Sequence, residues 1–468
     1  MFTLILLFAY FVRFPDKPQK DAPALSPRAI EQRAQWHIPI DQLDYPVCRL
    51  YVDSLRAMGA KIYHTSRWMN GVTVEMNDEL AAKVRQLTFV TDVEMTRDNS
   101  RPRVFFNKRR LPQRQTLTPP TMHTDDQLNL FNLQTLHQAG FEGQGILMAI
   151  CDGGFYNADT LSCFRQQALQ QGYFDFTDDA DGFFGSTGTH GTGCLSTISA
   201  LTADYYGAAV KASYYLMRSE EYDTESPKEM DNLIVALETA DSLGVNVFSL
   251  SLGYYVFDNS AWDFTQADMD GQTARVSRAA TIAARKGMLV CVAAGNEGDQ
   301  SWRKIDLPAD ADSVLTVGAV DVEGNIGYFS SYGPAADGRV KPEVCAVGVW
   351  ASVITPDGYV IHGNGTSFAT PLLAGLAASL WSTLPQENAM QIRQRIIRSA
   401  DRYTQPDDRY GYGIPDAWKA YTMSPESIDN TPFPSEEGRG EASKLLHNGQ
   451  LLIYHGGHIF TPTGQRLL

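Results

Sequence analysis

Two short apolar runs restrict this chain more than any other feature. Ile146 to Cys151, inside G-I-L-M-A-I-C-D-G-G-F (Gly145 to Phe155), is continuous, with no polar residue to mark a solvent face. M-L-V-C-V-A-A-G-N-E-G (Met288 to Gly298) repeats the pattern and ends in a glycine turn. A strand without alternation suits burial on both faces, as in a parallel sheet covered by helices on each side. The expected fold class is α/β. In such sheets a site forms beyond the carboxyl ends of the strands, where the first run delivers Asp152 and the second Asn296.

Two further segments supply the groups that a nucleophilic mechanism needs. Ser367 stands in G-N-G-T-S-F-A-T-P (Gly363 to Pro371), between a glycine-threonine turn and a helix start. A serine hydroxyl is a weak nucleophile at neutral pH, so it requires a base, a group that orients the base, and donors for the resulting oxyanion. His190, in the small-residue loop S-T-G-T-H-G-T-G (Ser186 to Gly193) ahead of a helix over Cys194 to Leu201, is the base candidate. Asp152 is the orienting acid, and the neutral amide of Asn296 can donate to developing negative charge. Each residue alone has a bland reading: a helix cap for Ser367, turn residues for Asp152 and Asn296, a surface histidine for His190. Their joint occurrence at strand ends and helix starts favours catalysis.

The four motifs, in the order Asp, His, Asn, Ser, resemble the subtilisin-like serine peptidases over roughly Asp125 to Thr422. L-T-V-G-A-V-D (Leu315 to Asp321), Y-F-S-S-Y-G-P (Tyr328 to Pro334) and G-R-V-K-P-E-V (Gly338 to Val344) extend the likeness; Glu343, where the family more often has Asp, and Cys151 are small departures. The resemblance implies a three-layer α/β domain with a mostly parallel central sheet, and an Asp152-His190-Ser367 triad with Asn296 at the oxyanion. V-F-S-L-S-L-G (Val247 to Gly253) looks like the family's substrate-binding strand, carried by Ser249, Leu250, Ser251, Leu252 and Gly253. With Ala293, Ala294 and Gly295, the small residues of that strand imply an open, apolar pocket. A lipase-like hydrolase would need G-x-S-x-G, which fails at Ala369, and an acid-acting sedolisin would carry Glu at position 190 and Asp at 296. The alternative is an inactive relative that binds peptides or partners through the same cleft.

Composition agrees with a large enzyme. The chain has 468 residues, 43% of them hydrophobic, enough for a sizeable core and more than one domain. A net charge of -15 and the lack of a basic stripe with interleaved aromatics argue against a nucleic-acid partner. Cys48, Cys151, Cys163, Cys194, Cys291 and Cys345 show no metal spacing and read as buried free thiols, with a Cys163 to Cys194 bridge as an alternative. No metal and no cofactor are expected: His455 and His458 flank a Gly-Gly turn, and the acidic loop at Asp175, Asp178, Asp179 and Asp181 lacks calcium-loop spacing.

The first hundred residues read as a separate α+β domain. Tyr10 to Phe14, Ala60 to Trp68, Gly71 to Met76 and Phe89 to Thr96 are strand-like; Ser26-Pro27 opens a helix, and Pro46 to Met58 and Asn77 to Leu87 are helical. The resulting order suits a ferredoxin-like fold. Ahead of this catalytic domain it resembles the family's propeptide, an intramolecular inhibitor; W-M-N-G-V-T-V-E (Trp68 to Glu75) is the part most like it. Removal is expected between residues 99 and 124, where Lys108-Arg109-Arg110 reads as solvated linker or as a cleavage site.

Both ends suggest export to a secreted or cell-surface location. Phe2 to Val12 is apolar but shorter than the roughly 20 residues that span a bilayer, and reads as a truncated signal at residues 1–9 running into a propeptide that begins at Tyr10. At the other end a linker over residues 423–443 precedes a β-rich tail, 444–468, broken by Asn448-Gly449 and Gly456-Gly457. The tail resembles a short C-terminal sorting signal of Bacteroidetes proteins, a partner for secretion machinery; the other reading is a hairpin packed on the peptidase domain. Polypeptide substrates are the remaining partners.

Overall fold

The computed structural model describes residues 7–18, 21–98, 124–165 and 170–424, together with 443–447, 450–455 and 458–460. The rest of the 1–9 signal, the processing segment with Lys108-Arg109-Arg110, and most of the 423–443 linker lie outside the described residues.

The N-terminal part contains β1 (Phe8–Arg13), α1 (Pro27–Gln35), α2 (Arg49–Ala57), β2 (Lys61–Ser66), β3 (Gly71–Met76), α3 (Asp78–Val84) and β4 (Asp92–Arg97). The strands form an antiparallel sheet in the order β2-β3-β1-β4, the ferredoxin-like arrangement. α1 starts as its sequence requires: the Ser26 side chain accepts from the Ala29 N–H and Pro27 occupies the first turn. β1 begins earlier than Tyr10, because Phe8 and Ala9 pair with Met76 and Glu75. β2 ends at Ser66 rather than Trp68, because the groups beyond it turn to Glu238: Ser66 Oγ donates at 2.6 Å, and the Arg67 and Trp68 N–H groups at 2.9 and 3.1 Å.

The next part holds β5 (Leu147–Asp152), β6 (Gln170–Asp175), β7 (Ser213–Arg218), β8 (Val247–Leu250), β9 (Leu289–Ala293), β10 (Leu315–Val320) and β11 (Val344–Val347), all parallel, in the order β11-β10-β9-β8-β5-β7-β6. The helices are α4 (Asp125–Asn129), α5 (Leu133–Gln138), α6 (Ser162–Arg165), α7 (His190–Ser199), α8 (Pro227–Leu243), α9 (Arg275–Arg285), α10 (Thr366–Trp381), α11 (Ala389–Ser399) and α12 (Ala417–Thr422). Unbroken apolarity of the strands has the expected cause. Met148 and Ile150 of β5, with Leu289 and Cys291 of β9, enter a core shared with α7, α10 and α11. Leu147, Ala149 and Cys151, with Val290 and Val292, enter a second core under α8 and α9. Successive side chains leave opposite faces of a strand, and helices cover both, which gives three layers. Chain order reverses between β5 and β8, so the crevice of the sheet opens beyond Asp152 and Leu250.

All six cysteines are buried and free, so the Cys163 to Cys194 bridge is not formed. No helix among the described residues is long and apolar enough to cross a membrane. The tail forms its own unit, an antiparallel meander of β14 (Ser443–His447), β15 (Gln450–His455) and β16 (His458–Phe460), following the β12 (Ala351–Ile354) and β13 (Val360–Gly363) hairpin in chain order.

Candidate active site

Asp152 is the last residue of β5 and is fully buried. Its Oδ1 and Oδ2 lie 2.9 and 3.0 Å from His190 Nδ1, and Oδ1 also accepts from the Gly153 N–H at 2.7 Å. The carboxylate therefore favours the proton on Nδ1 and leaves Nε2 as the base. His190 opens α7 itself, four residues before the expected helix start at Cys194. The close seat of that helix on the strand end depends on Gly191, where a Cβ would meet Gly154 O at 2.4 Å and Asp152 Cβ at 2.9 Å. Burial disfavours the imidazolium, but the charge and hydrogen bond of Asp152, with a contribution from Cys194, overcome it and hold the His190 pKa well above its ordinary value. Cys194 stands one turn along α7, with Sγ 3.7 Å from Nδ1. Asp152, His190 and Cys194 are the one group among the described residues close enough together for a metal ion; burial raises the Cys194 thiol pKa, and the Asp152 carboxylate is engaged by His190 Nδ1.

Ser367 is the second residue of α10. Pro371 lies four residues on and has no N–H to give the Ser367 carbonyl, which would otherwise be its helical partner. That carbonyl accepts instead from Ser251 Oγ at 2.8 Å and Cys194 Sγ at 3.3 Å, which ties the start of α10 to the end of β8 and to α7. Ser367 Oγ itself makes a long contact of 3.4 Å to Ser251 O, and among the described residues no hydrogen bond joins it to His190. Asn296 Oδ1 accepts from the Thr366 N–H at 2.9 Å and Thr366 Oγ1 at 3.2 Å. With the oxygen engaged, the amide NH₂ is the group left to donate.

A cavity of about 250 Å³ brings His190, Ser367 and Asn296 together. Ser251, Leu252 and Gly253 form one wall, Ala293 and Gly295 another. Ser249 and Leu250 belong to β8 beneath it, and Ala294 is buried behind its wall. The lining also holds four carboxylates that sequence reading missed: Glu220, Glu225, Glu297 and Asp306. The pocket expected to be apolar is acidic. Its small wall residues set only the width, whereas Glu220 and Glu225 arrive from the loop after β7 and Asp306 from the loop after β9. Only Glu297, next to Asn296, lies inside one of the motifs.

Residues 143–413 match the subtilase family model, and residues 9–114 match the Bacteroidota propeptide domain of S8 peptidases. Over 288 residues the chain is 30% identical to subtilisin DY of Bacillus licheniformis, a span of 61% of this chain and 93% of the relative. A thermostable alkaline protease of Halalkalibacterium halodurans is 28% identical over 63% of this chain and 72% of its own length. The crystal structure of MycP1 from the ESX-1 type VII secretion system shares the fold with a TM-score of 0.54 at 22% identity, covering 71% of this chain and 95% of that one. With the parallel sheet, the propeptide domain and the convergent cavity, these matches show that the chain belongs to the subtilase family and is a serine endopeptidase.

Proposed function

We propose that the chain is a secreted or cell-surface peptidase that cleaves peptide bonds through an acyl-enzyme on Ser367, with its N-terminal domain as intramolecular inhibitor. The observation that carries this reading is the convergence of His190, Ser367 and Asn296 on one cavity, with Asp152 at 2.9 Å behind the imidazole. In the reaction His190 Nε2 takes the Ser367 hydroxyl proton as Oγ leaves its contact with Ser251 O and attacks the substrate carbonyl. Asp152 holds the tautomer and stabilises the imidazolium. The Asn296 NH₂ and the Ser367 N–H, at the start of a helix, receive the oxyanion. His190 then gives its proton to the leaving amine, and water hydrolyses the ester by the reverse route. The substrate lies extended along Ser249 to Gly253, pairing through main-chain hydrogen bonds.

In this reading residues 10–98 cover the mature peptidase, 125–422, and the 99–124 segment is cut; the tail, 444–468, serves secretion machinery. The test is labelling by a fluorophosphonate. The wild-type chain is expected to label at Ser367, and Ser367→Ala to remain unlabelled with its fold intact. Labelling of the Ser367→Ala chain overturns the assignment.

A further inference from the structure

We infer that residues 15–46 form a strap that fastens the N-terminal domain to the pole of the peptidase domain opposite the active site, and that this strap keeps the two parts together as a two-chain complex once the linker is cut. A ferredoxin-like domain needs one helix between its first two strands, and α2 fills that place: Val52 and Leu55 enter the domain's own core with Phe8, Tyr10, Val12 and Phe14. α1 is additional. Among the described residues, none between Phe14 and Val47 enters that core. Trp36 packs instead against the core shared by α7, α10 and α11, and Leu43 against the core under α8 and α9.

The strap seats where helices return to the sheet. The Ser26 N–H donates to Ser242 O at 2.8 Å, and Arg28 donates to Gly244 O at 2.9 Å and to Asn246 Oδ1 at 2.7 Å. Asn246 marks the amino edge of the sheet, because it also accepts from the N–H groups of Leu147 and Leu289, the first residues of β5 and β9. Asp152 ends β5 at the other edge. Trp36 lies 5.6 Å from Trp381, the last residue of α10, and Gln35 Nε2 donates to Pro385 O at 3.0 Å. α10 carries Ser367 at its start, so its 16 residues put roughly 24 Å of helix between the nucleophile and the strap. At Gly287, just beyond α9, a Cβ would lie 2.9 Å from Ile38 Cδ1 and 3.3 Å from the Trp36 ring. The glycine leaves the room that the strap fills.

Charge fixes the seat. Arg33 is 2.6 Å from Asp241 and 3.1 Å from Asp44, and Lys286 is 2.8 Å from both Asp41 and Asp44; Arg33, Asp44 and Lys286 are buried. None of these contacts involves the cleft or the 99–124 segment, so a cut there leaves all of them in place. The domain is then a separate chain held at two places, its sheet side on α8 through Glu238 and its strap beyond the end of that helix. Both must open together for it to leave.

The inference rests on the cut proposed above, so the test makes that cut without Ser367. In the full Ser367→Ala chain, a recognition sequence for a site-specific endopeptidase, flanked by glycine-serine spacers, replaces part of the 99–124 segment. Denaturing mass confirms complete cutting, and size exclusion with native mass spectrometry follows the two pieces. With the strap intact they are expected to travel as one species at micromolar concentration. Arg28→Ala combined with Trp36→Ala, both outside the cleft and outside the N-terminal domain's own core, is expected to raise the dissociation constant about a hundred-fold or more. Separation of the pieces with the strap intact overturns the inference, as does a double variant that binds as tightly. A wild-type chain that fails to cut itself overturns the peptidase reading and leaves this result standing. If the double variant does not fold, Arg28→Ala alone and the intact strap decide.

Discussion

The face on which the propeptide domain rests and the cavity beside Ser367 are both crowded with carboxylates, but the first sets them into a packed seam of ion pairs and the second along an open lining. On the face, each acid meets a cation from across the interface or beside it. Asp241 is 2.6 Å from Arg33 and 2.7 Å from Arg67; Asp44 is 2.8 Å from Lys286; Asp231 is 2.9 Å from Arg275, which also holds Glu94. Glu221 lies 2.5 Å from Arg97 and pairs with Lys228. In the cavity, Glu220, Glu225, Glu297 and Asp306 share one lining, where the Tyr254 hydroxyl donates to Glu220 and Ser331 Oγ to Glu297. A buried charge is costly unless it is matched, and a matched pair adds little over an apolar contact. Such pairs favour one docking geometry over a slid one, because a displaced charge would be left buried without its partner. The cavity gathers its acids along one lining next to the nucleophile.

Breaking the matched side gives the larger expected effect. Glu238 accepts from Ser66 Oγ and from the N–H groups of Arg67 and Trp68, and removing it strands these buried donors. Glu238→Ala in the uncut Ser367→Ala background is expected to destabilise propeptide docking by about 3–5 kcal/mol, read from urea unfolding of the N-terminal domain. Glu238→Gln keeps an acceptor and is expected to cost less. Equal and small losses for both would mean that these contacts do not hold the domain.

A smaller effect sharpens the comparison from the cleft side, where Asp152 and His190 are matched inside the chain. Because Asp152 raises the His190 pKa, the basic imidazole becomes available only above the usual histidine range. The kcat/KM of the mature enzyme is expected to rise with pH on a limb centred above about 6.5, and the limb in Asp152→Asn to fall toward or below that value at a much lower rate. Stability has the opposite sign. A raised histidine pKa stabilises the fold fully below the unfolded value, and that contribution is lost as pH rises through the folded one. A wild-type limb at or below 6.5 would contradict the role given to Asp152.

Much of this was legible in the sequence where one segment determines its own fate. The unbroken runs ending at Asp152 and before Asn296 announced strands buried on both faces, and the Ser26-Pro27 pair announced the start of α1. Gly71 to Met76 was legible as a strand with its bounds. Boundaries shifted where distant partners decide them: β2 stops at Ser66 because Glu238, far along the chain, captures the next two N–H groups. His190 opens its helix because Gly191 lets α7 reach the end of β5. The acidity of the cavity was the least legible property. Glu220, Glu225 and Asp306 belong to no catalytic motif, and only the folding of two loops around Ser251 to Gly253 brings their charges to one place. The role of Pro371 in freeing the Ser367 carbonyl is local, but its recipients, Ser251 and Cys194, are not.

The central claim is that Ser367 is the nucleophile of the cleft it shares with His190 and Asn296, and that this serine makes the cut between the N-terminal domain and the peptidase domain. Intact-mass and N-terminal analysis of the purified wild-type chain, with Ser367→Ala alongside, tests both halves together. Wild type is expected to convert to a product whose new N-terminus lies between residues 99 and 124, while Ser367→Ala stays uncut. Cleavage of the Ser367→Ala chain on its own, or a folded wild-type chain that stays uncut, would contradict the account.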